Sequence, residues 1–208
     1  MRVTTLTSIA LVSFALSNPA SAQNAASGGH GQGHGRHGQM NHGAMESSPD
    51  AAKAEFDHQF IDTMIVHHES AIEMAKLAAD RAEHDELKQM ARKMMNDQQK
   101  ETQQLQEWKK QWYGDKGDAV NMKMSGMAES MKNMPMEKLE AAKGAAFDAM
   151  FIDMMTRHHR GAIKMAEVAR QKAKRPEIKK LSQDVMRVQK QEVAEMTKWR
   201  KEWKLSGK

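Results

Sequence analysis

Side chains that face inward on a helical wheel recur every three or four residues along two consecutive stretches of the chain. The first stripe comprises Phe56, Phe60, Met64, His67, Ala71, Met74 and Ala78. The second comprises Leu87, Met90, Met94, Gln98, Glu101, Leu105, Trp108 and Trp112. This spacing is typical of amphipathic helices. It predicts a helical hairpin that begins after the Ser48-Pro49-Asp50 start signal and turns at His84-Asp85, with its second helix over residues 86–112.

The same hairpin occurs twice in the chain. The motif F-D-x-x-F-I-D-x-M-x-x-H-H-x-x-A-I-x-M-A at 56–75 returns at 147–166, and the offset of 91 residues holds without a gap to Trp112 and Trp203, with 22 of 57 positions identical. The second copy turns at Arg175-Pro176, and we expect its first helix to run from Pro135 to about Lys174. Two hairpins with a long Met-rich connection predict an all-α four-helix bundle with a pseudo-twofold axis. Asp62 and Asp153, kept in both copies, fall on the outer side of the helix, and the pattern assigns them no role.

The N-terminal residues predict export. Arg2, an apolar run over residues 9–16 and Ala20-Ser21-Ala22 are typical of a secretory signal that is cut after Ala22. The run is shorter than the roughly 20 residues that span a bilayer, so we expect a periplasmic or secreted protein with no membrane span. The predicted organisation is a signal peptide (1–22), a disordered His/Gly-rich tail (23–48), the first hairpin (49–112), a Met-rich linker (113–135) and the second hairpin (136–204), with both hairpins in one domain.

Methionine and histidine are the candidate soft-metal ligands. The chain has no Cys but 20 Met, which is more than core packing requires. The Gly-rich tail carries His30, His34, His37, His42, Met40 and Met45, and it reads either as a flexible chelator or as a solvated spacer. The linker carries Met122, Met124, Met127, Met131, Met134 and Met136 in M-x-M and M-x-x-M spacings. Thioethers select Cu(I) and, by analogy, Ag(I), although adaptable packing on the bundle is the alternative for these Met.

Polar residues interrupt the stripes at matched heights. His67 and His68 precede Asp85 by 18 and 17 residues, and Gln98 and Glu101 follow it by 13 and 16. At 1.5 Å per residue these positions lie within about two helical turns of each other in an antiparallel hairpin. The sequence therefore predicts one polar layer inside each hairpin. Its members in the second copy are His158, His159, Gln189 and Glu192.

Two interpretations of this layer stay open. Hydrogen bonds between Glu and His would make it a buried layer that specifies register. Alternatively, the four His with Met64 and Met155 bind metal while the Glu and Gln orient them, and Met74 and Met165 are further candidates kept in both copies. Adjacent His on a helix diverge by about 100°, so we expect the two members of each His-His pair not to share one ion.

Charge differs between the copies. Residues 56–112 have a net charge of −3 and residues 147–203 of +6, within a total of +5. Opposite charge favours packing of unlike halves, within the chain or between chains. Acidic residues alternate with the basic ones, and the chain is predicted to be exported, so we expect no nucleic-acid partner.

The repeated motif, followed by Q-x-x-E and then Trp, resembles the ferritin-like domain-of-unknown-function family number 305 over about residues 54–204. Met-rich members are similar to bacterial periplasmic copper-binding and copper-resistance proteins. The resemblance implies a ferritin-like helical bundle and copper binding outside the cytoplasm. With the tail and linker, it predicts a protein that sequesters or carries Cu(I) and Cu(II), contributes to copper tolerance, and meets other copper-handling envelope proteins.

A di-iron or di-manganese redox enzyme is the alternative class. Such bundles use four Glu and a pair of E-x-x-H motifs. Here the motif occurs at Glu55 to His58, and the matching positions of the second copy are Ala146 and Ala149. With two core Glu and no catalytic constellation, we expect no enzyme. A metal-free structural or interaction bundle is the third class.

Overall fold

The computed structural model describes residues 46–114, 116–132 and 134–205, and within these ranges all regular structure is helical. Four long helices are α1 (Phe56–Arg81), α2 (Asp85–Tyr113), α5 (Gly144–Lys172) and α6 (Pro176–Glu202). Two short helices, α3 (Met127–Met131) and α4 (Met136–Ala141), lie in the connection. Helix α1 packs on α2, α5 packs on α6, and α1 and α5 join the two hairpins. The predicted all-α bundle of two hairpins is confirmed.

The first hairpin starts later than the sequence predicts. Helix α1 begins at Phe56, and only a 3-10 turn at Ala51–Lys53 follows the Ser-Pro-Asp signal. The preceding chain is held by other contacts instead: the Ser48 amide donates to the Val120 carbonyl at 2.8 Å, and the Gln59 side chain donates to the Ala54 carbonyl at 2.7 Å. Pairing with the linker therefore replaces the predicted first turns of the helix.

The predicted long helix over 135–174 is wrong, because the chain breaks between α4 and α5. Ala142 and Lys143 are extended, and Gly144 has a φ of +56°, a left-handed conformation that favours glycine. Arg81, at the end of α1, donates to the Ala142 carbonyl at 3.2 Å. The break thus brings the chain onto the turn of the first hairpin. The Met-rich linker (113–135) also contains the short helix α3.

Each hairpin holds the turn of the other through a buried aspartate. Asp57, in the first turn of α1, accepts the backbone amides of Lys174 and Arg175 at 3.0–3.1 Å. Asp148, at the matching position of α5, accepts those of Glu83 and His84 at 2.9 and 3.1 Å. Because the start of each helix meets the end of the other, α1 and α5 run antiparallel around the pseudo-twofold axis.

Aromatic contacts repeat this exchange between the hairpins. The indole of Trp203 stacks on the His84 ring with centroids 3.7 Å apart and planes 4° from parallel. In the other half, the Arg175 guanidinium lies 3.9 Å from the Trp112 ring centroid. Both contacts join matching positions of the repeat, and each seats a hairpin turn against the last turn of the other hairpin.

The linker docks on the outer surface of the first hairpin, where it covers Asp62. Its carboxylate is only 2% exposed and accepts the Ala119 amide at 2.6 Å and the Lys109 ammonium at 3.0 Å. Thr63 accepts the Asn121 amide at 2.9 Å. The helical wheel placed Asp62 on the solvent side, and the structure corrects this because the linker covers that side. Asp153 is 52% exposed and pairs with Arg200 at 3.0 Å.

Farther along, the linker crosses to α5 at a point of backbone contact. A Cβ added to Gly161 would lie 2.3 Å from the Ser130 Cβ and 2.5 Å from the Gly126 carbonyl oxygen. Gly126 has a φ of +93°, and a Cβ there would lie 2.2 Å from the Gly161 carbonyl oxygen. Glycine at both positions allows α3 to pack directly on the α5 backbone. No helix in the described ranges is long and apolar enough to cross a membrane.

Candidate metal centre: the histidine layer and the linker methionines

A His–Glu pair lies inside each hairpin, as the sequence predicts. His68 Nε2 is 2.8 Å from Glu101 Oε2, and His159 Nε2 is 2.8 Å from Glu192 Oε2. Both histidines are completely buried, whereas the Glu101 and Glu192 side chains are 21% and 10% exposed. Each carboxylate therefore reaches from the edge of the bundle to a buried ring nitrogen. The match follows from the 3.6-residue period, which brings His and Glu to the same height in both hairpins.

The first histidine of each pair meets its counterpart on the pseudo-twofold axis. The His67 and His158 ring centroids are 3.7 Å apart, and His67 Nε2 lies 3.2 Å from the His158 carbonyl oxygen. Since a carbonyl only accepts, Nε2 of His67 carries the proton. Burial lowers the pKa of both rings well below its usual range, and the neighbouring histidines lower it further. These two rings are therefore neutral in the folded protein near pH 7.

Unpaired ring nitrogens make this layer a possible ligand source. The Nδ1 atoms of His67, His68, His158 and His159 are all buried and have no hydrogen-bond partner among the described residues. A neutral imidazole that donates through Nε2 keeps a lone pair on Nδ1, which is the form that binds copper or zinc. Adjacent rings point apart, however, with centroids 6.2 Å apart for His67 and His68 and 6.3 Å apart for His158 and His159.

The described residues do not gather three His, Asp or Glu side chains in an arrangement that could hold a metal ion. The layer instead forms two His–Glu pairs and one central His–His contact. The His159–Glu192 pair matches the hydrogen-bonded interpretation. His68 Nε2, although 2.8 Å from Glu101 Oε2, makes no hydrogen bond among the described residues. Metal binding by the four histidines stays a prediction. Met64, Met74, Met155 and Met165 are completely buried; Met64 and Met165 belong to one apolar cluster, and Met74 and Met155 to the other.

The predicted orienting glutamines lie beside the glutamates in a narrow cleft between α2 and α6. Gln98 and Gln189 are almost fully buried, and neither side-chain carbonyl has a partner among the described residues. They line the cleft together with Glu101 and Glu192, and its volume is about 10 Å³. That is room for about one water molecule. The cleft therefore lies directly beside the glutamates of both His–Glu pairs.

The six linker methionines do not come together. Met122, Met124, Met127 and Met131 pack with the apolar cluster of the first hairpin's open end, which also holds Phe60 and Tyr113. Met134 and Met136 pack with the other cluster, around Phe147 and Phe151. Met124, Met127 and Met134 are buried, so at least half of the set packs as the alternative interpretation expects. Met122, Met131 and Met136 are half-buried, and their sulfurs are the candidates for contact with an arriving ion.

The remaining candidates, His30, His34, His37, His42, Met40 and Met45, lie outside the described residues. Sequence reasoning also passed over two histidines beside buried carboxylates. His58 Nε2 lies 3.3 Å from Asp62, and His84 Nδ1 lies 2.6 Å from Asp148. His58 and Asp62 are four residues apart on α1, a helical spacing that the sequence could have shown. His84 and Asp148 are 64 residues apart, and the identity of Asp57 with Asp148 was the only signal for them.

Fold and site together define an all-helical bundle of two repeated hairpins that share a buried His–Glu layer. The family model described as "Domain of unknown function (DUF305)" matches residues 12–109 and 57–200. The chain therefore belongs to the DUF305 family, which confirms the resemblance read from the repeated motif. Among curated proteins, none matches the chain.

Solved structures support this assignment. CopM in its Cu(I)-bound form is 35% identical, with a TM-score of 0.61 over 71% of this chain and 96% of CopM. CopM in its Cu(II)-bound form is also 35% identical, with a TM-score of 0.62 over 72% and 99%. A CopM form with bound silver, obtained by co-crystallization, is 34% identical with a TM-score of 0.60 over 71% and 96%. A DUF305 protein from Streptomyces coelicolor is 25% identical, with a TM-score of 0.64 over 74% and 95%.

Proposed function

We propose that this protein is an exported copper-binding protein that sequesters or carries copper without catalytic turnover. The observation that carries the proposal is the 35% identity to CopM, which has been solved with Cu(I) and with Cu(II) and of which this chain covers 96% or more. Silver, which CopM also binds, is the expected second soft ion. In this proposal copper is the cargo, and the bundle is a scaffold that is stable without it.

The ligand types support binding of Cu(I) and Cu(II) by different parts of the chain. Thioethers favour Cu(I), and the accessible ones in the linker are Met122, Met131 and Met136. Imidazoles favour Cu(II), and the N-terminal tail contains four within 13 residues (30–42). The histidine layer would add ligands only if a ring rotated to bring Nδ1 toward a neighbouring donor. We therefore assign the first binding steps to the linker and the tail, not to the layer.

The donor set also argues against the alternative class. A di-iron or di-manganese site needs several carboxylates that face each other across the core. Here Glu101 and Glu192 each lie 2.8 Å from a histidine of the same hairpin, and no described cluster of His, Asp and Glu could hold an ion. Two carboxylates, each paired with a histidine, are fewer than the four that such a site uses, which disfavours oxidase chemistry. Periplasmic location and delivery to other copper-handling envelope proteins belong to the same proposal.

The linker assignment is tested by anaerobic competition titration of Cu(I) against a chromogenic chelator. We expect replacement of Met122, Met131 and Met136 by Leu to remove Cu(I) equivalents, because Leu keeps the packing volume but has no thioether. The matched control replaces Met95, Met150 and Met186 by Leu. These three are also half-buried, and they pack against the same two clusters.

The control variant should keep the Cu(I) stoichiometry and affinity of the wild type. Equal losses of Cu(I) equivalents in the two variants would mean that any half-buried thioether binds Cu(I). Unchanged Cu(I) binding in the linker variant would show that the linker is not part of the Cu(I) site. Circular dichroism of both variants should match the wild type, since Leu and Met occupy similar volumes.

A further inference from the structure

The first hairpin contains a docked extended segment whose contacts define a binding mode. Asp62 pairs with Lys109 across the outer surface of α1 and α2. The linker then adds the Ala119 amide to Asp62 at 2.6 Å, while its Asp118 carboxylate accepts the Lys109 ammonium at 2.7 Å. The Asp118 carboxylate thus binds the Lys109 ammonium, and the amide of the next residue binds the Asp62 carboxylate.

The second hairpin has the same pair at the same place in the repeat. Asp153 and Arg200 correspond to Asp62 and Lys109, and their side chains are joined by two contacts of 3.0 and 3.1 Å. Within the described part of the chain, Asp153 pairs with Arg200, and no linker amide donates to its carboxylate. The pair stands at one wall of a surface groove of about 400 Å³ between α5 and α6.

The chemistry of this groove selects an acidic partner. Arg157, Arg160 and Arg200 line it against the single carboxylate of Asp153, so its formal charge is +2. The matching positions of Arg157 and Arg160 in the first hairpin are Val66 and Glu69, so the basic character belongs to the second hairpin alone. Thr156 also lines the groove, and its hydroxyl is buried and has no hydrogen-bond partner among the described residues.

We infer that this groove is a docking site for an extended, acidic peptide segment of a second protein. Its main chain would donate to Asp153 as Ala119 donates to Asp62, and its carboxylates would bind Arg160 and Arg200 as Asp118 binds Lys109. The two terminal segments of this chain do not fit, because residues 1–45 contain no Asp or Glu and the side chains of residues 203–208 carry only basic charges. The site is independent of copper binding.

The experiment measures fluorescence anisotropy of a labelled, amidated peptide that repeats the sequence of residues 118–121 between added aspartates. At 0.15 M salt the metal-free full-length protein should bind it saturably. Arg160→Gln combined with Arg200→Gln should weaken binding about ten-fold or more, because each removes a charge-assisted hydrogen bond to a carboxylate. A peptide with lysine in place of each aspartate should not bind.

The matched control is Arg170→Gln with Arg187→Gln, which removes two positive charges from a separate basic groove on the same two helices. This variant should bind the acidic peptide as the wild type does. The docking site is overturned by unsaturable binding or by equal weakening in the two variants. Sedimentation that revealed self-association dependent on Arg160 and Arg200 would identify a second copy as the occupant and overturn the second-protein partner.

Discussion

Acid should destabilise the metal-free protein at a pH above that at which its carboxylates become protonated. Burial and neighbouring histidines hold the pKa of His67 and His158 far below its usual range. In the unfolded chain each ring takes up a proton near pH 6.5, so the unfolded state binds more protons as the pH falls. The contribution is fully present above pH 6.5 and is lost below it, by about 1.4 kcal/mol per ring and pH unit.

Both rings contribute in the same direction, so the free energy of unfolding should fall as the pH drops from 6.5 toward 5. Urea unfolding at a series of pH values measures it. Partial burial raises the pKa of Glu69. This one carboxyl group therefore acts in the opposite direction, because the folded state binds its proton more tightly than the unfolded chain does. Asp85, Asp118 and Asp184 have lowered pKa values because of bonded lysines, so they titrate below this window.

A double variant with Gln at His67 and His158 separates this effect from general acid sensitivity. Gln is uncharged at every pH and can still donate to a carbonyl, so most of the dependence between pH 6.5 and pH 5 should disappear. His58, whose pKa burial also lowers while Asp62 opposes the shift, would account for a remaining slope. A wild-type stability that stayed level across this window would contradict the neutral central pair.

Asp148→Ala should strongly destabilise the bundle. The carboxylate is completely buried and binds three donors of the first hairpin's turn, two backbone amides and the His84 ring nitrogen at 2.6 Å. Removing it leaves these three donors without their acceptor and detaches one hairpin's turn from the other hairpin. We expect a loss of about 3–5 kcal/mol, read as a lower urea midpoint.

Asp153→Ala, five residues farther along the same helix, is the matched control. Its carboxylate is half exposed and pairs with one arginine, so its loss should cost no more than about 1 kcal/mol. Asp57→Ala, at the pseudo-symmetric position, should resemble Asp148→Ala, with a smaller effect because it binds backbone amides without a histidine. Equal small losses of stability in Asp148→Ala and Asp153→Ala would contradict the conclusion that Asp148 holds the turn of the first hairpin.

The histidine layer could be predicted because it depends only on local period and on counting from a turn. His68 and Glu101 occupy one height in any antiparallel hairpin built on these stripes, and the second copy repeats the arrangement. The same reasoning could not find the contact between His67 and His158. That contact depends on how two hairpins cross, which no periodicity within either hairpin encodes.

Long-range contacts explain why the helix boundaries and the burial of Asp62 could not be predicted from the sequence. Asp62 faces outward from its own hairpin and becomes buried only because residues about 57 positions later fold back over it. Gly144 interrupts a pattern that otherwise reads as one long helix, and its left-handed conformation places the chain against the turn at Glu83. The Met spacing in the linker left shared metal binding and packing open, and the structure divides the six methionines between two apolar clusters.

The proposed function itself is tested most directly by the metal content of the native protein. The full-length gene product would be expressed with export in medium supplemented with copper, iron and manganese, purified without added metal, and analysed by mass spectrometry. We expect several equivalents of copper and neither iron nor manganese at stoichiometric levels. Stoichiometric iron or manganese, or the absence of stoichiometric copper, would contradict a copper-binding function.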